Sequence, residues 1–296
     1  MTKILNVIKT KSFQIVAACL ALVLCVTGAV WHFAPPASAA ELSIENANVQ
    51  GYSLLGGKGT IADGKLVGIM DGEYATMSVF VSGGSADKYN AANLKWEHDG
   101  DSWTGASTIL YEGTNSNQQI YACSPYAADA ANGVITVNAA DQTDWLVATS
   151  TALNSSSVNL NMTHALTKLV IVPTYGTEVT DQTIAKIEIG GMHASGDLNI
   201  ADNTWSNLSE ANATITTENK EALVIPMASG TSFTVTVTMA DGRVFTTTVN
   251  LASVGNKLEA GIQYNVNLQV GQDTVTLGGI TAESWELYDG GELKTE

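Results

Sequence analysis

Beyond its first forty residues the chain holds a single cysteine, Cys123; the other two, Cys19 and Cys25, lie in the N-terminal stretch. One thiol closes no intramolecular bridge, so a disulfide framework is excluded. Cys123 stands in the apolar run Ile120-Tyr121-Ala122-Cys123 with no basic neighbour. That context reads as a small buried hydrophobe and not a reactive thiolate. Also missing is any amphipathic helical period sustained for three turns. Basic residues are scarce: past residue 40 there are ten against 29 acidic ones, a net charge of −19. A surface that acidic repels phosphate backbones and anionic lipid, which argues against nucleic acid or a membrane face as partner.

Motifs for chemistry are lacking as well. The stretch Gly51 to Gly59 hints at a phosphate loop, but its glycine is one place out and Lys58 is followed by Gly59 where Ser or Thr is needed. No Gly-x-Ser-x-Gly elbow is present. His98, His164 and His193 sit on separate segments without metal-ligand spacing. The cluster Glu97-His98-Asp99-Gly100-Asp101 resembles half of a calcium loop, yet its glycine comes too early and no closing glutamate follows. A solvated turn is the expectation there. No cofactor and no metal are expected. Trp96, Trp103, Trp145, Trp205 and Trp285 read first as core anchors and second as a platform on which sugar rings could stack. Two carboxylates brought together in a cleft would be needed for a glycosidase, the most distant reading.

What is present begins with an export leader. Lys3, Lys9 and Lys11 precede an apolar run over residues 13–30, and Pro35-Pro36-Ala37-Ser38-Ala39 closes it with a small-x-small site. Residues 1–39 are read as a signal peptide cut between Ala39 and Ala40. Two alternatives stand beside simple cleavage: an uncleaved anchor, since the run approaches the roughly 20 residues of a membrane span, and lipidation at Cys19 or Cys25. Val16-Ala17-Ala18-Cys19 has the right order for lipidation, but the residues after Cys19 are strongly apolar, and Cys25 follows the bulky Leu24.

The remainder is a succession of period-two or short apolar runs bounded by Gly, Asn and Asp, which makes the class all-β. Strands are predicted at 77–81, 107–111, 119–123, 134–137, 145–148, 158–162, 169–172, 184–189 and 223–225. The sharpest local signal is a hairpin over residues 233–249. A two-residue Asp-Gly loop would put Phe245 and Val249 on the face opposite Val235 and Val237. A three-residue loop, Ala240-Asp241-Gly242, pairs Val237 with Phe245, Val235 with Thr247 and Phe233 with Val249, with Gly242 in the left-handed position. The polar stretch 152–157 offers nothing to bury and is the expected boundary, giving an N-terminal domain at 40–156 and a C-terminal one at 157–296. Each has enough strands for an antiparallel β-sandwich.

Several phrases occur together in order: Asn93-Leu94-Lys95-Trp96, Asp144-Trp145-Leu146-Val147-Ala148, His164-Ala165-Leu166-Thr167-Lys168, Leu223-Val224-Ile225-Pro226, Gly261-Ile262-Gln263-Tyr264 and Ile280-Thr281-Ala282-Glu283-Ser284-Trp285. Their order and spacing resemble the fimbrillin family, subunits of type V pili, with the His164 to Lys168 phrase carrying most weight. The resemblance implies two transthyretin-like, Greek-key β-sandwich domains, an assembly role and no active site. It also implies lipoprotein export and, in one branch, trimming at an arginine that lets a neighbour's strand replace an N-terminal one. Here the lipobox is poor and Arg243, at the hairpin tip, is the sole arginine, so that trimming route is closed.

The expected function is a non-enzymatic pilus or surface-adhesion subunit, exported to the cell surface or fimbrium with outer-membrane association as one variant. Its expected partners are other pilin subunits or itself, with a glycan or protein receptor beyond them. A secreted carbohydrate-binding sandwich is the alternative. Within the chain, Val275 and Leu277 alternate before the break Gly278-Gly279, then Ile280 and Trp285 follow; these four mark a candidate assembly strand, with a closing strand of its own sandwich as the plainer reading. Intact-mass measurement on secreted protein is expected to give a mature N-terminus at Ala40 or Glu41. A diacylglyceryl group on Cys19 or Cys25, or a retained leader, would overturn that expectation.

Overall fold

Alternation of apolar and polar residues leaves each strand of this chain with a face to hide, and the sheets are arranged to hide them. The computed structural model describes residues 39–49, 59–62, 65–69, 75–99 and 102–285. The leader through Ser38, the glycine run up to Lys58, and residues 286–296 lie outside the described residues. Among the described residues the regular structure is strand, with only short 3₁₀ turns, and no helix is long and apolar enough to cross a membrane.

The N-terminal part builds a seven-stranded sheet in the order β1 (Ser43–Val49), β10 (Ser157–His164), β9 (Leu146–Ala152), β7 (Gln119–Ser124), β4 (Thr76–Ser82), β5 (Ala91–His98) and β6 (Trp103–Gly105). Its two edge strands, β1 and β6, approach each other, so the sheet curls around Leu42, Ile44, Met77, Val79, Trp96, Ile120 and Leu160. The opposite face, carrying Phe80, Cys123 and Val147, is buried as well. Burial on both sides explains why Met77 to Val81 is a continuous apolar-lined run broken only by Ser78, which hides its hydroxyl by accepting from Ala127 N–H at 3.0 Å. A small hairpin of β2 (Gly59–Ala62) and β3 (Lys65–Ile69) lies against β1.

Residues 107–111, expected as a strand, form a loop with one isolated bridge from Leu110 to Glu41. Its backbone groups are satisfied piecemeal: Leu110 N–H donates to Lys88 O, Ile109 O accepts from Leu42 N–H, and the Gln118 side chain donates to Leu110 O. With each group taken by a different segment, no ladder forms.

The C-terminal part is a sandwich of two four-stranded sheets sharing one core. One sheet runs β16 (Glu221–Val224), β11 (Thr167–Tyr175), β19 (Ile262–Val270), β20 (Val275–Ser284); the other runs β15 (Ala211–Thr217), β12 (Ile184–His193), β17 (Ser232–Met239), β18 (Val244–Asn250). The β17–β18 hairpin has the expected register: Phe233 opposes Val249, Val235 opposes Thr247 and Val237 opposes Phe245. Gly242, at φ 89°, takes the left-handed turn position, and Met239 and Arg243 close the loop through Met239 N–H to Arg243 O. Two pairings are parallel, β1 with β10 and β11 with β19, whereas the sequence pattern suggested antiparallel sandwiches. Parallel neighbours need long crossovers, and alternation alone does not reveal them.

A three-stranded sheet, β14 (Thr204–Ser206), β13 (Ser195–Asn199) and β8 (Val134–Asn138), joins strands from both parts of the sequence. Ile135, Val137 and Leu198 on it are buried in the core that also holds Phe80 and Val235. The 152–157 stretch runs from the last residue of β9 to the first of β10, both strands of the seven-stranded sheet. Ile187→Ala, at a side chain with no exposed area, is expected to lower the unfolding free energy by about 2–5 kcal/mol. Thr248→Ala on the outer face of β18 should change it by less than ~0.5 kcal/mol in the same denaturant titration.

Candidate assembly site

The chain leaves the seven-stranded sheet at His164 and enters the C-terminal sandwich at Thr167, and this corner is sealed from water. His164, Ala165, Leu166 and Thr167 are each at most 2 % exposed. A buried corner cannot leave its polar groups to solvent, so partners come from distant segments. Ala165 N–H donates to Trp145 O, and its carbonyl accepts from Trp205 Nε1 at 3.2 Å. Leu166 O accepts from Gly261 N–H, and Thr167 Oγ1 donates to Glu259 O at 2.8 Å. Lys168 Nζ lies 3.4 Å from Glu221 and 5.9 Å from the centre of the Trp285 ring. The phrase that carried the family resemblance is thus the joint of the molecule.

His164 is its centre. Nδ1 donates to Asp144 Oδ1 at 2.8 Å, and the imidazole stacks on the Trp285 indole with ring centres 3.6 Å apart and planes 9° from parallel. Trp285 is 2 % exposed and donates its backbone N–H to Gly261 O at 3.1 Å. Beside them is a cavity of about 320 Å³ lined by Thr163, His164, Asn203, Gly261, Ser284 and Trp285. Three buried polar atoms around it have no hydrogen-bond partner: His164 Nε2, Trp285 Nε1 and Asn203 Oδ1. Burying an indole removes roughly 150–250 Å² from water, worth about 4–6 kcal/mol. Each orphaned polar atom costs about 1–3 kcal/mol.

The four residues of the predicted assembly strand lie on or just past β20, an edge strand. Val275 opposes Val270 and Ile280 opposes Val266, both with buried side chains; Leu277 opposes Leu268 and is half-buried. Trp285 is the first residue after the strand. Ala39 and Ala40 are described, outside any strand, just before the Glu41 bridge. What sequence reasoning missed is the contact of Trp285 with His164, and of His164 with Asp144. These partners are 121 and 20 residues apart, and only their shared membership in the family phrases connected them.

The other candidate chemistry is dispersed. His193 Nδ1 donates to Ser209 O at 2.5 Å, and His98 meets Trp103 edge-on at 5.0 Å. Glu97 and His98 of the acidic cluster lie on β5, and Asp99 Oδ1 accepts from Ser102 N–H at 2.9 Å; Gly100 and Asp101 lie outside the described residues. Among the described residues no three His, Cys, Asp or Glu side chains are grouped to hold a metal ion. Cys123 is fully buried, and burial pushes its thiol up to about 12. Trp96, Trp103 and Trp285 are buried, and Trp145 and Trp205 are half-buried and packed against the core. Trp285→Ala is expected to destabilise by less than the ~3–5 kcal/mol typical of a buried aromatic, because truncation also removes one orphan donor and lets water reach His164 Nε2. Chemical denaturation monitored by circular dichroism measures the difference.

Comparison with known proteins is consistent across sequence and fold. A family model described as fimbrillin-like matches residues 59–285. The chain has no match among curated proteins. Among solved structures it is similar to a candidate cell adhesion protein of Bacteroides uniformis, with TM-score 0.62 and 21 % identity over 84 % of this chain and 99 % of that one. It is similar to another from Bacteroides ovatus, with TM-score 0.61 and 19 % identity over 84 % and 100 %. The C-terminally truncated tip fimbrial protein Mfa3 of Porphyromonas gingivalis follows at TM-score 0.51 and 9 % identity over 83 % and 100 %. At such identities the structural likeness establishes the fold alone, whereas the family match spans most of the chain. The chain belongs to the fimbrillin-like family.

Proposed function

We propose that this chain is an exported, non-enzymatic subunit of a fimbrium or related adhesion structure at the cell surface, joining other subunits or copies of itself by β-strand addition. The observation that carries this reading is β1. It is an edge strand whose one ladder among the described residues, to β10, is parallel and slips between Ile44 and Asn46, with β3 and β6 packed close by. Its inward residues Leu42, Ile44 and Ala47 are nevertheless buried in the core of the seven-stranded sheet. A strand that fills a core but is tied on one side can be exchanged for another of like pattern, because the groove it leaves is apolar and rimmed by unpaired backbone groups. The family membership and the fold shared with fimbrial and adhesion proteins support the same role.

On this reading β20 is the complementary piece, an alternating strand at an edge, with Val275, Leu277 and Ile280 as the side chains that seat in pockets. No arrangement among the described residues suggests a reaction, and the buried tryptophans leave the carbohydrate-binding alternative without a specific observation. Deleting residues 273–296 and comparing folding with self-association tests the assignment. The expected result is a chain that keeps its β circular-dichroism spectrum and loses the ladder of oligomers on native gels. Outright unfolding would assign the segment to the core alone, and undiminished ladders would place the joint elsewhere.

A further inference from the structure

The cavity beside the His164–Trp285 stack holds about 320 Å³, far more than the roughly 30 Å³ that one water takes in the liquid. Of its lining, Thr163, Asn203 and Gly261 are half-buried and Ser284 is exposed, so it opens to the surface; His164 and Trp285 are its buried members. The three unpartnered atoms, His164 Nε2, Trp285 Nε1 and Asn203 Oδ1, all belong to lining residues. Asn203 sits in the turn between β13 and β14 at φ 55°. Glycine would serve that backbone equally well, so the turn does not account for an amide side chain there.

The chemistry of the three atoms defines what completes them. An indole N–H only donates. His164 gives its Nδ1 proton to Asp144, which leaves Nε2 of the neutral ring a lone pair with which to accept. Asn203 Oδ1 accepts too. The complement is therefore one acceptor and two donors. An anion would face two lone pairs, and the nearby cation, Lys168, is already paired with Glu221 at 3.4 Å. A cation would face the indole N–H, and Asp144 is already held by His164. A single hydroxyl brings one donor. A primary carboxamide brings a carbonyl and two N–H bonds in one plane.

We propose that this cavity binds a primary carboxamide, its carbonyl accepting from Trp285 Nε1–H and its two N–H bonds donating to His164 Nε2 and Asn203 Oδ1. The closed stack keeps all three atoms from solvent, so the guest enters with a small turn of the indole and satisfies atoms that are otherwise buried unpaired. The same group is carried by asparagine and glutamine side chains of a partner subunit and by free small amides. The site itself does not depend on the assembly reading.

The test adds acetamide to the full mature chain labelled with ¹⁵N and follows the indole N–H signals by NMR, the Trp285 signal being the one lost in Trp285→Phe. That signal is expected to shift saturably with acetamide, and to stay in place with acetate or with N,N-dimethylacetamide, which lacks both donors. Asn203→Ala, at a half-buried turn position, is expected to weaken the response about fivefold, the worth of one hydrogen bond. No shift, an equal shift with dimethylacetamide, or an undiminished response in Asn203→Ala overturns the site and leaves the cavity to water alone. Light scattering then separates the two sources. Self-association weakened by acetamide and not by dimethylacetamide assigns the amide to a partner subunit, whereas association indifferent to both assigns it to a free amide. A chain that never associates counts against the assembly reading and leaves the carboxamide site to the NMR result.

Discussion

The sealed corner from His164 to Lys168 is the constraint on which the rest of the molecule depends. There the chain passes from one sheet into another with its side chains out of water, and every backbone group on the way must find a protein partner. The partners are Trp145, Trp205, Glu259 and Gly261. Because they belong to the β9 strand start, the β13–β14 hairpin and the start of β19, satisfying one short corner fixes the relation of three sheets. His164 extends this outward to Asp144 and Trp285, and Lys168 to Glu221.

From that corner β11 runs parallel to β19 over eight paired residues, Lys168 with Gln263 through Tyr175 with Val270. Parallel pairing obliges the intervening chain to leave the sheet and return in the same direction. Here it does so by building the entire facing sheet, whose Ile187, Ile189, Val235 and Val237 have no exposed area. The second layer of the sandwich is therefore the crossover connection of the first. The place left for β20 is the open side of β19, which makes it an edge strand by topology and not by composition.

The described residues hold one free, buried thiol and a large apolar core, and burial of that core supplies the main favourable contribution to folding. Its junctions are then the places where structure can give. The seven-stranded sheet ends in β1, tied to one neighbour, and the C-terminal sandwich ends in β20, interrupted by a bulge and closed by a tryptophan over unsatisfied polar atoms. Both edges join a buried core to a strand whose ladder among the described residues runs along one side only. The cohesive core and the yielding edges come from the same alternating pattern, used once with two neighbours and once with one.

Much of the β class was legible because alternation with period two is a local signal: nearly all the expected strands formed, and the 233–249 hairpin took its register, since loop length and face matching leave one solution. Residues 107–111 looked like a strand by the same local rule and became a loop, because their backbone groups were claimed by Lys88, Leu42 and Gln118. The candidate site divides the same way. Val275, Leu277, Ile280 and Trp285 stood out by pattern, but the stack of Trp285 on His164 joins residues 121 positions apart, and no periodicity carries information over that distance. What the sequence determined by itself was strand, turn and which face turns inward, since these follow from neighbouring side chains. Which strands lie side by side, which of them end at an edge, and which polar atoms are left unpaired beneath Trp285 were decided by tertiary structure alone, because they depend on how distant segments share a limited set of hydrogen-bond partners.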